Sequence, residues 1–439
     1  MSLAERRRLR LFTLCMLYVA QGIPWGFMAT TLPVYLGARG VSQEALGTAL
    51  AMTTLPYGFK WMWGPIVDAF TIPSLGRRRP WIVFAQAMMA LTVIAMLAIP
   101  DVTIDLRLLA WMILIHTVFN ALQDVAVDAL AVDQLDEHER GRANGLMYAS
   151  KYLGGLIGGM GMAAVIQWSG LETALAVQTA ILLAIMMLPL LIRERSGPPP
   201  PRTPFWSIAP ALAQAFSIRS TVVTAVLMMT VNLATGILGP SAVVLYTQRL
   251  KWKEFEYTAL VGGIGLAAGL AGSVGAGFVA DRIGHRRMAA GASVALASGW
   301  FAFALLEPWW AYDAIGYGCA IFEALAQSTM SVALFALCMG VSWPRIGATQ
   351  FTTYMALLNF STTIGYRIGS ELSGWSFQRI YLFAAILQLG VTALLPFIDP
   401  TETRRKLPLP SGSSMTPGIV AGVGLLLALV VLTIYPFLS

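Results

Sequence analysis

Charge is what this chain has least of. Only 12% of its 439 residues are Asp, Glu, Lys or Arg, against 57% that are hydrophobic. A soluble chain carries about 25% charged residues. The shortfall excludes a soluble enzyme with a single anchor and leaves a polytopic membrane protein. Cysteine is scarce too. Cys15, Cys319 and Cys338 all lie in apolar segments, without disulfide or metal-ligand spacing, and read as small core residues. The three histidines, His116, His138 and His285, are scattered with no paired partner. A membrane acyltransferase would need such a pairing, so no catalytic residue, metal site or cofactor is expected. No phosphate-binding loop of the ATPase type occurs, which argues against an ATP-driven pump, and the glycine-rich runs follow no strand. The net charge of +7 would point to nucleic acid in a soluble protein. In a membrane protein its distribution over the loops decides instead, and no nucleic-acid partner is expected.

What is present is apolar sequence in membrane-length pieces. A bilayer core of about 30 Å takes about 20 helical residues. Twelve spans fit between residues 11 and 398, and a thirteenth, 417–437, follows a polar spacer. The N-terminal MSLAERRRLR enters an apolar stretch without a small-residue cleavage site, so a retained first helix is expected. RERSGPPPPRTP, Arg193 to Pro204, holds four consecutive prolines, which cannot continue a helix. The expected organisation of this all-α chain is a six-helix lobe (1–192), a cytoplasmic linker (193–219), a second six-helix lobe (220–398) and a tail with one extra helix (399–439). Of the 29 Lys and Arg, three fall inside spans, six on one side and twenty on the other. The positive-inside rule places the twenty, with the N-terminus and the linker, on the cytoplasmic side of the inner membrane. One missed helix would scramble that parity.

The halves echo each other. GPIVDAF and GRRRP (Gly64 to Pro80) end the second span, and GFVADRIGHRR (Gly277 to Arg287) ends the eighth. Asp68 and Asp281 are 213 positions apart, about half the chain. A repeat of six helices with matching basic loops points to a two-lobed secondary transporter. Asp68, Arg77, Arg78, Asp281, Arg282 and Arg286 are its expected gate and loop residues, each Asp at a helix end and the arginines in water and headgroups.

Charges inside spans are costly and are functional candidates. They are Lys60, Asp124, Asp128, Lys151, Glu323, Arg367 and Glu371. Asp124 and Asp128 are four apart and share one helical face. Two like charges there repel, which suits a site that takes up and releases a proton, or one discharged by substrate. Lys60 or Lys151 is expected to pair with Asp124 or Asp128. Buried pairing that merely holds the bundle is the alternative, and it has its best claim at Arg367 with Glu371, also four apart. Asp133 lies on the opposite face from Asp124 and is expected to meet Arg77 to Arg79. Tyr57 and Trp61 are candidates to line a cavity, with interface anchoring as the competing explanation. GGLIGGMG (Gly154 to Gly161) and the glycines of Gly262 to Gly277 let helices approach closely. His116 reads as a satisfied core histidine, with a proton relay as the lesser alternative.

Seven pieces in order, QGIPWG, FKWMWGPIVD, GRRRPW, QDVAVDA, ERGRANG, FEALAQ and ATQF, run from Gln21 to Phe351. On these the chain resembles the AmpG-like muropeptide permeases, within the peptide, acetyl-coenzyme A and drug transporter family of the major facilitator superfamily. The resemblance implies twelve core helices, alternating access and proton-driven import of a GlcNAc-anhydromuramyl sugar or its peptide conjugate by a monomer. It implies Lys60, Asp124, Asp128 and Glu323 as charged cavity residues, with Gln123 and Lys151 beside them toward substrate. Relatives that move acetyl-coenzyme A or ferric siderophores keep those substrates open as alternatives. Some permeases of this group have two extra C-terminal spans where this chain has one.

Overall fold

The structure is a computed structural model and describes residues 7–63, 66–67, 76–135, 137–192, 194, 205–343, 346–408 and 420. Asp68 and the thirteenth expected span lie outside them, as do the side chains of Trp61 and Asp281. In lipid every backbone polar group must find its partner within the chain, which leaves helices as the solution for apolar segments of this length. The described residues are helical accordingly. The first helices are α1 (Arg7–Ala38), α2 (Gln43–Gly58), α3 (Arg79–Leu97) and α4 (Leu106–Gln134); α1, α3 and α4 are long and apolar enough to cross a membrane. A 46-residue run, Leu146–Leu191, follows. At 1.5 Å per residue it is about twice as long as a bilayer core, so it must cross twice. It breaks at Gly170, whose φ of 84° no helix holds, giving α5 (137–169) and α6 (171–191). After the short helix Phe205–Phe216 come α7 (Arg219–Arg249), α8 (254–283), α9 (His285–Leu305), α10 (Asp313–Val341), α11 (Gly347–Glu371) and α12 (Phe377–Thr392). Large apolar side chains such as Leu91, Ile94, Leu108 and Trp111 are exposed on α3 and α4, as lipid-facing residues should be.

The chain divides into two compact units, Met1–Pro198 with Ala242–Leu266, and Pro199–Ser241 with Ala267–Ser439. The difference from the lobes expected above is residues 242–266, the end of α7 and the start of α8. They join the first unit for a local reason. Gln248 Nε2 donates to the carbonyls of Gly37 and Val41 at 2.8 Å each, and Arg39 pairs with Glu254 at 2.8 Å.

Both units use glycine to bring backbones together. In the first, α1 meets α5. A Cβ at Gly22 would lie 2.8 Å from Gly155 N, and one at Gly158 would lie 3.0 Å from Ile23 Cα. In the second, α7 meets α11, where a Cβ at Gly236 would lie 2.6 Å from Thr362 O and one at Gly365 2.5 Å from Leu233 O. Only a residue without a side chain fits such crossings. The first unit adds π turns at Phe27–Thr31 and Ile157–Gly161. A π turn disturbs the helical ladder, and Thr31 Oγ1 lies within donating distance of Gly158 O at 2.9 Å and Gly159 O at 2.8 Å.

Candidate functional site

Asp124 sits on α4 and is 5% exposed. An isolated carboxylate there would be very costly. Two ammonium groups compensate it. Lys60 Nζ, from the turn after α2, lies 3.2 Å from Asp124 Oδ2, and Lys151 Nζ, from α5, lies 3.1 Å from Oδ1. Each oxygen thus has its own cation, and three separate helical segments meet on one side chain. Both lysines choose Asp124. Asp128, one turn on, is exposed and accepts a short hydrogen bond from the hydroxyl of Tyr18 on α1. Tyr148 stands edge-on to Tyr18, ring centroids 6.0 Å apart. Tyr18 was not among the sequence candidates. Its one signal is a hydroxyl within LCMLYVAQG, four residues before Gly22.

The other candidates fall in different places. Tyr57 is half-buried on α2, one turn before Lys60. Gln123, expected toward substrate, is fully buried, and its Nε2 donates to Leu17 O at 3.3 Å. Gln123 thus bridges α4 and α1 through its Nε2. Glu323 is half-buried on α10, in the second unit. Arg367 and Glu371 on α11 pair at 2.7 Å.

At the loop between α2 and α3, Arg78 Nε meets Asp133 Oδ2 at 2.8 Å. The backbone N–H groups of Arg77 and Arg78 donate to Glu194, which comes close because Gly76 has φ 101° and no side chain. Burial pushes the Glu194 carboxyl above its usual range, only partly offset by those bonds from Arg78 and Arg77. Arg79 reaches Pro189 O at 2.5 Å and Leu190 O at 2.9 Å on α6. In the second unit, Arg286 holds Ile398 O at 3.1 Å, while Arg282 is exposed.

The first unit also holds an open pocket of about 520 Å³ whose lining includes Tyr35, Arg39, Gln167, Lys251, Trp252 and Glu254. Arg39 stacks 3.4 Å above the Tyr35 ring there.

Acid and base thus meet inside a set of interlocked apolar helices. Residues 14–365 match the family model of the Major Facilitator Superfamily. The chain belongs to that superfamily. It is 24% identical to the anhydromuropeptide permease of Escherichia coli, over 87% of this chain and 77% of that protein. It is 25% identical to a putative transporter AmpG 4 of Rickettsia felis, over 89% and 96%. In fold it resembles the nucleoside transporter NupG (TM-score 0.73, 13% identity, covering 89% of this chain and all of that one). It also resembles the D-xylose–proton symporter (0.70, 12%, covering 90% and 99%). It is therefore a multi-pass membrane transporter of the AmpG-like kind.

Proposed function

We propose that the chain imports anhydromuropeptide-like solutes by proton-coupled alternating access, as a monomer in the inner membrane with its N-terminus in the cytoplasm. The observation that carries this reading is Asp124 held between Lys60 and Lys151. With Asp124 ionised the three groups sum to one positive charge, and with it protonated they sum to two. A proton thus turns a closed pair of salt bridges into two free ammonium groups. Those groups suit a solute that carries carboxylates, as muropeptides do, and their cost in an apolar bundle is relieved when the solute arrives. Asp128, tied to Tyr18, holds a second acid within one turn. The substrate class follows the names of the relatives, and the orientation follows the basic loops.

The decisive measurement is uptake by proteoliposomes of anhydromuropeptide, acetyl-coenzyme A and a ferric siderophore, with and without an imposed pH gradient. Native protein is expected to accumulate the muropeptide when the gradient is present. Asp124→Asn should remove the response to the gradient. A full response in that variant would show that Asp124 is not the proton site.

A further inference from the structure

The first unit contains a polar interior that the salt-bridge site does not use. Gln21, Gln86, Asn120, Gln123, Gln178 and His116 are each 3% exposed or less. Nine of their side-chain atoms have no hydrogen-bond partner among the described residues: both amide atoms of Gln21, Gln86 and Gln178, Asn120 Oδ1, Gln123 Oε1 and His116 Nε2. Buried polar groups are nearly always satisfied by protein or by internal water. Nine left dry would offset the stability of a whole domain.

Contacts between the helices set the levels of these residues. On α3 and α4, Phe84 meets Phe119 with centroids 5.7 Å apart, and Thr92 meets His116 at 2.9 Å. Those two helices are antiparallel, so Gln86 is level with residues 117–122. Gln123 reaches Leu17 O on α1, so Gln21, one turn further, is level with Asn120. Arg79 holds Pro189 O. Counting seven residues along α3 and eleven back along α6 leaves Gln86 and Gln178 about 6 Å apart in level, a little over one turn. Asp124 adjoins Gln123 on the same level.

Thr92 Oγ1 lies 2.8 Å from Met89 O and 2.9 Å from His116 Nδ1. Its single proton serves one of the two: either Thr92 donates to Met89 O and accepts from Nδ1–H, or it donates to Nδ1 and Nε2 carries the ring proton. In both arrangements His116 Nε2 is buried with no partner among the described residues. Asp124 lies eight residues on, about 12 Å along the axis. That is too far for direct contact and is spanned by Asn120 midway.

We propose that this interior holds a chain of buried waters and that His116 relays protons through it to Asp124. One proton binds Nε2, making imidazolium. It then passes along the waters to an Asp124 oxygen, so that the imidazole becomes neutral as the carboxylate becomes carboxyl. Lys60 and Lys151 are released in the same step. The groups facing the relay from α1, α3 and α6 are uncharged: Gln21, Gln86, Thr92 and Gln178. Tyr18 and Asp124 are the titratable neighbours, and Arg10, Arg79 and Glu172 lie at the helix ends. The role of the relay rests on the proton coupling proposed above; the water chain does not.

The test uses the full chain in proteoliposomes with an internal pH dye. His116→Asn keeps hydrogen bonding but cannot carry a proton. It is expected to slow gradient-driven uptake and proton entry at least about tenfold, while solute-for-solute exchange, which needs no net proton, stays native. A native gradient response, or an equal fall in exchange, overturns the relay. Hydroxyl-radical footprinting in nanodiscs tests the water independently. Met89 is 0% exposed and is expected to label nonetheless, and to lose the label in the Gln86→Leu/Gln178→Leu variant. An unlabelled native Met89 overturns the proposal outright. If native protein ignores the pH gradient, the transport reading fails instead, and footprinting still decides the water chain.

Discussion

The two units share a scaffold and differ in what it holds. Gly22 on α1 and Gly236 on α7 make matching crossings, and each is preceded by four residues by a polar group, Tyr18 and Asn232. Gly155 on α5 and Gly365 on α11 are likewise preceded by Lys151 and Ser361. In the first unit these positions serve a charged site, Lys151 on Asp124 and Tyr18 on Asp128. In the second they serve a neutral one. Asn232 N donates to Ser361 Oγ at 3.0 Å, Gln327 Nε2 to Asn232 Oδ1 at 3.1 Å, and Thr235 Oγ1 to Gln327 Oε1 at 3.2 Å. The interiors differ in the same sense. Gln388 donates to Ser293 Oγ at 2.7 Å, whereas Gln86, seven residues after Arg79 as Ser293 is after Arg286, has no partner among the described residues. The same fold thus carries ion pairs at these positions in one unit and neutral hydrogen bonds in the other.

The largest expected effect breaks that contrast at its charged end. Asp124→Asn leaves Lys60 and Lys151 facing each other without a carboxylate. Removing one partner of a buried pair costs about 3–5 kcal/mol, and gradient-driven uptake should fall by at least about a hundredfold, which corresponds to about 2.7 kcal/mol. Ser361→Ala, at the equivalent of Lys151, removes one neutral hydrogen bond worth about 1 kcal/mol and should lower the uptake rate by about fivefold at most. Equal losses in the two variants would mean that the charge asymmetry is not functional. Next in size is a matched pair. Gly22→Val and Gly236→Val each put a branched side chain against backbone 2.8 and 2.6 Å away. Each should cost about 3 kcal/mol or more in thermal unfolding in detergent. Destabilisation by only one of them would show that the two crossings are not equally tight.

Much of this was legible before any coordinates. Sparse charge and one-sided arginines determine a multi-pass helical chain, and the four-residue spacing of Asp124 and Asp128 with isolated lysines marks the ionic site. The Arg367–Glu371 pair is legible for the same reason, since helical geometry fixes neighbours four apart. Contacts between distant positions were not. Tyr18 meets Asp128 across 110 residues, and no local period announces it. The bond from Gln123 to Leu17 O on α1 spans 106 residues and is equally silent in the local pattern. The capture of residues 242–266 by the first unit depends on Gln248 and Glu254 finding Gly37, Val41 and Arg39, which composition does not encode.

A smaller effect sharpens the contrast between the interiors. Gln388→Leu strands Ser293 and Thr392, whose hydroxyls lie 2.6 Å apart in the network that Gln388 organises. Losing a buried amide whose N–H group is hydrogen-bonded should cost about 1–3 kcal/mol, read as a lowered unfolding midpoint. Gln86→Leu removes an amide with no partner among the described residues, so it should shift the midpoint by less than half as much. A larger shift for Gln86→Leu would mean that its amide already has a firm protein partner.

The smallest effect lies where the basic loops meet helix ends. The second unit seats Glu402 on Ser220, whose N–H donates at 3.0 Å. The first seats Glu194 on the N–H groups of Arg77 and Arg78. Because burial raises the Glu194 carboxyl above its unfolded value, the folded chain binds a proton there more readily than the unfolded chain. Stability therefore falls as pH rises through the folded value and recovers on acidification toward it. The group is partly open to solvent, so screening limits the contribution to less than about 1 kcal/mol. Between pH 7.5 and pH 5 the native midpoint should rise by about 1–2 °C from this source. Glu194→Gln keeps an oxygen for the two N–H groups and cannot titrate, so its midpoint should exceed the native one slightly at pH 7.5 and converge with it near pH 5. A difference between the two proteins that does not change with pH would show that the Glu194 charge costs the fold nothing, and that its two hydrogen bonds fully offset its burial.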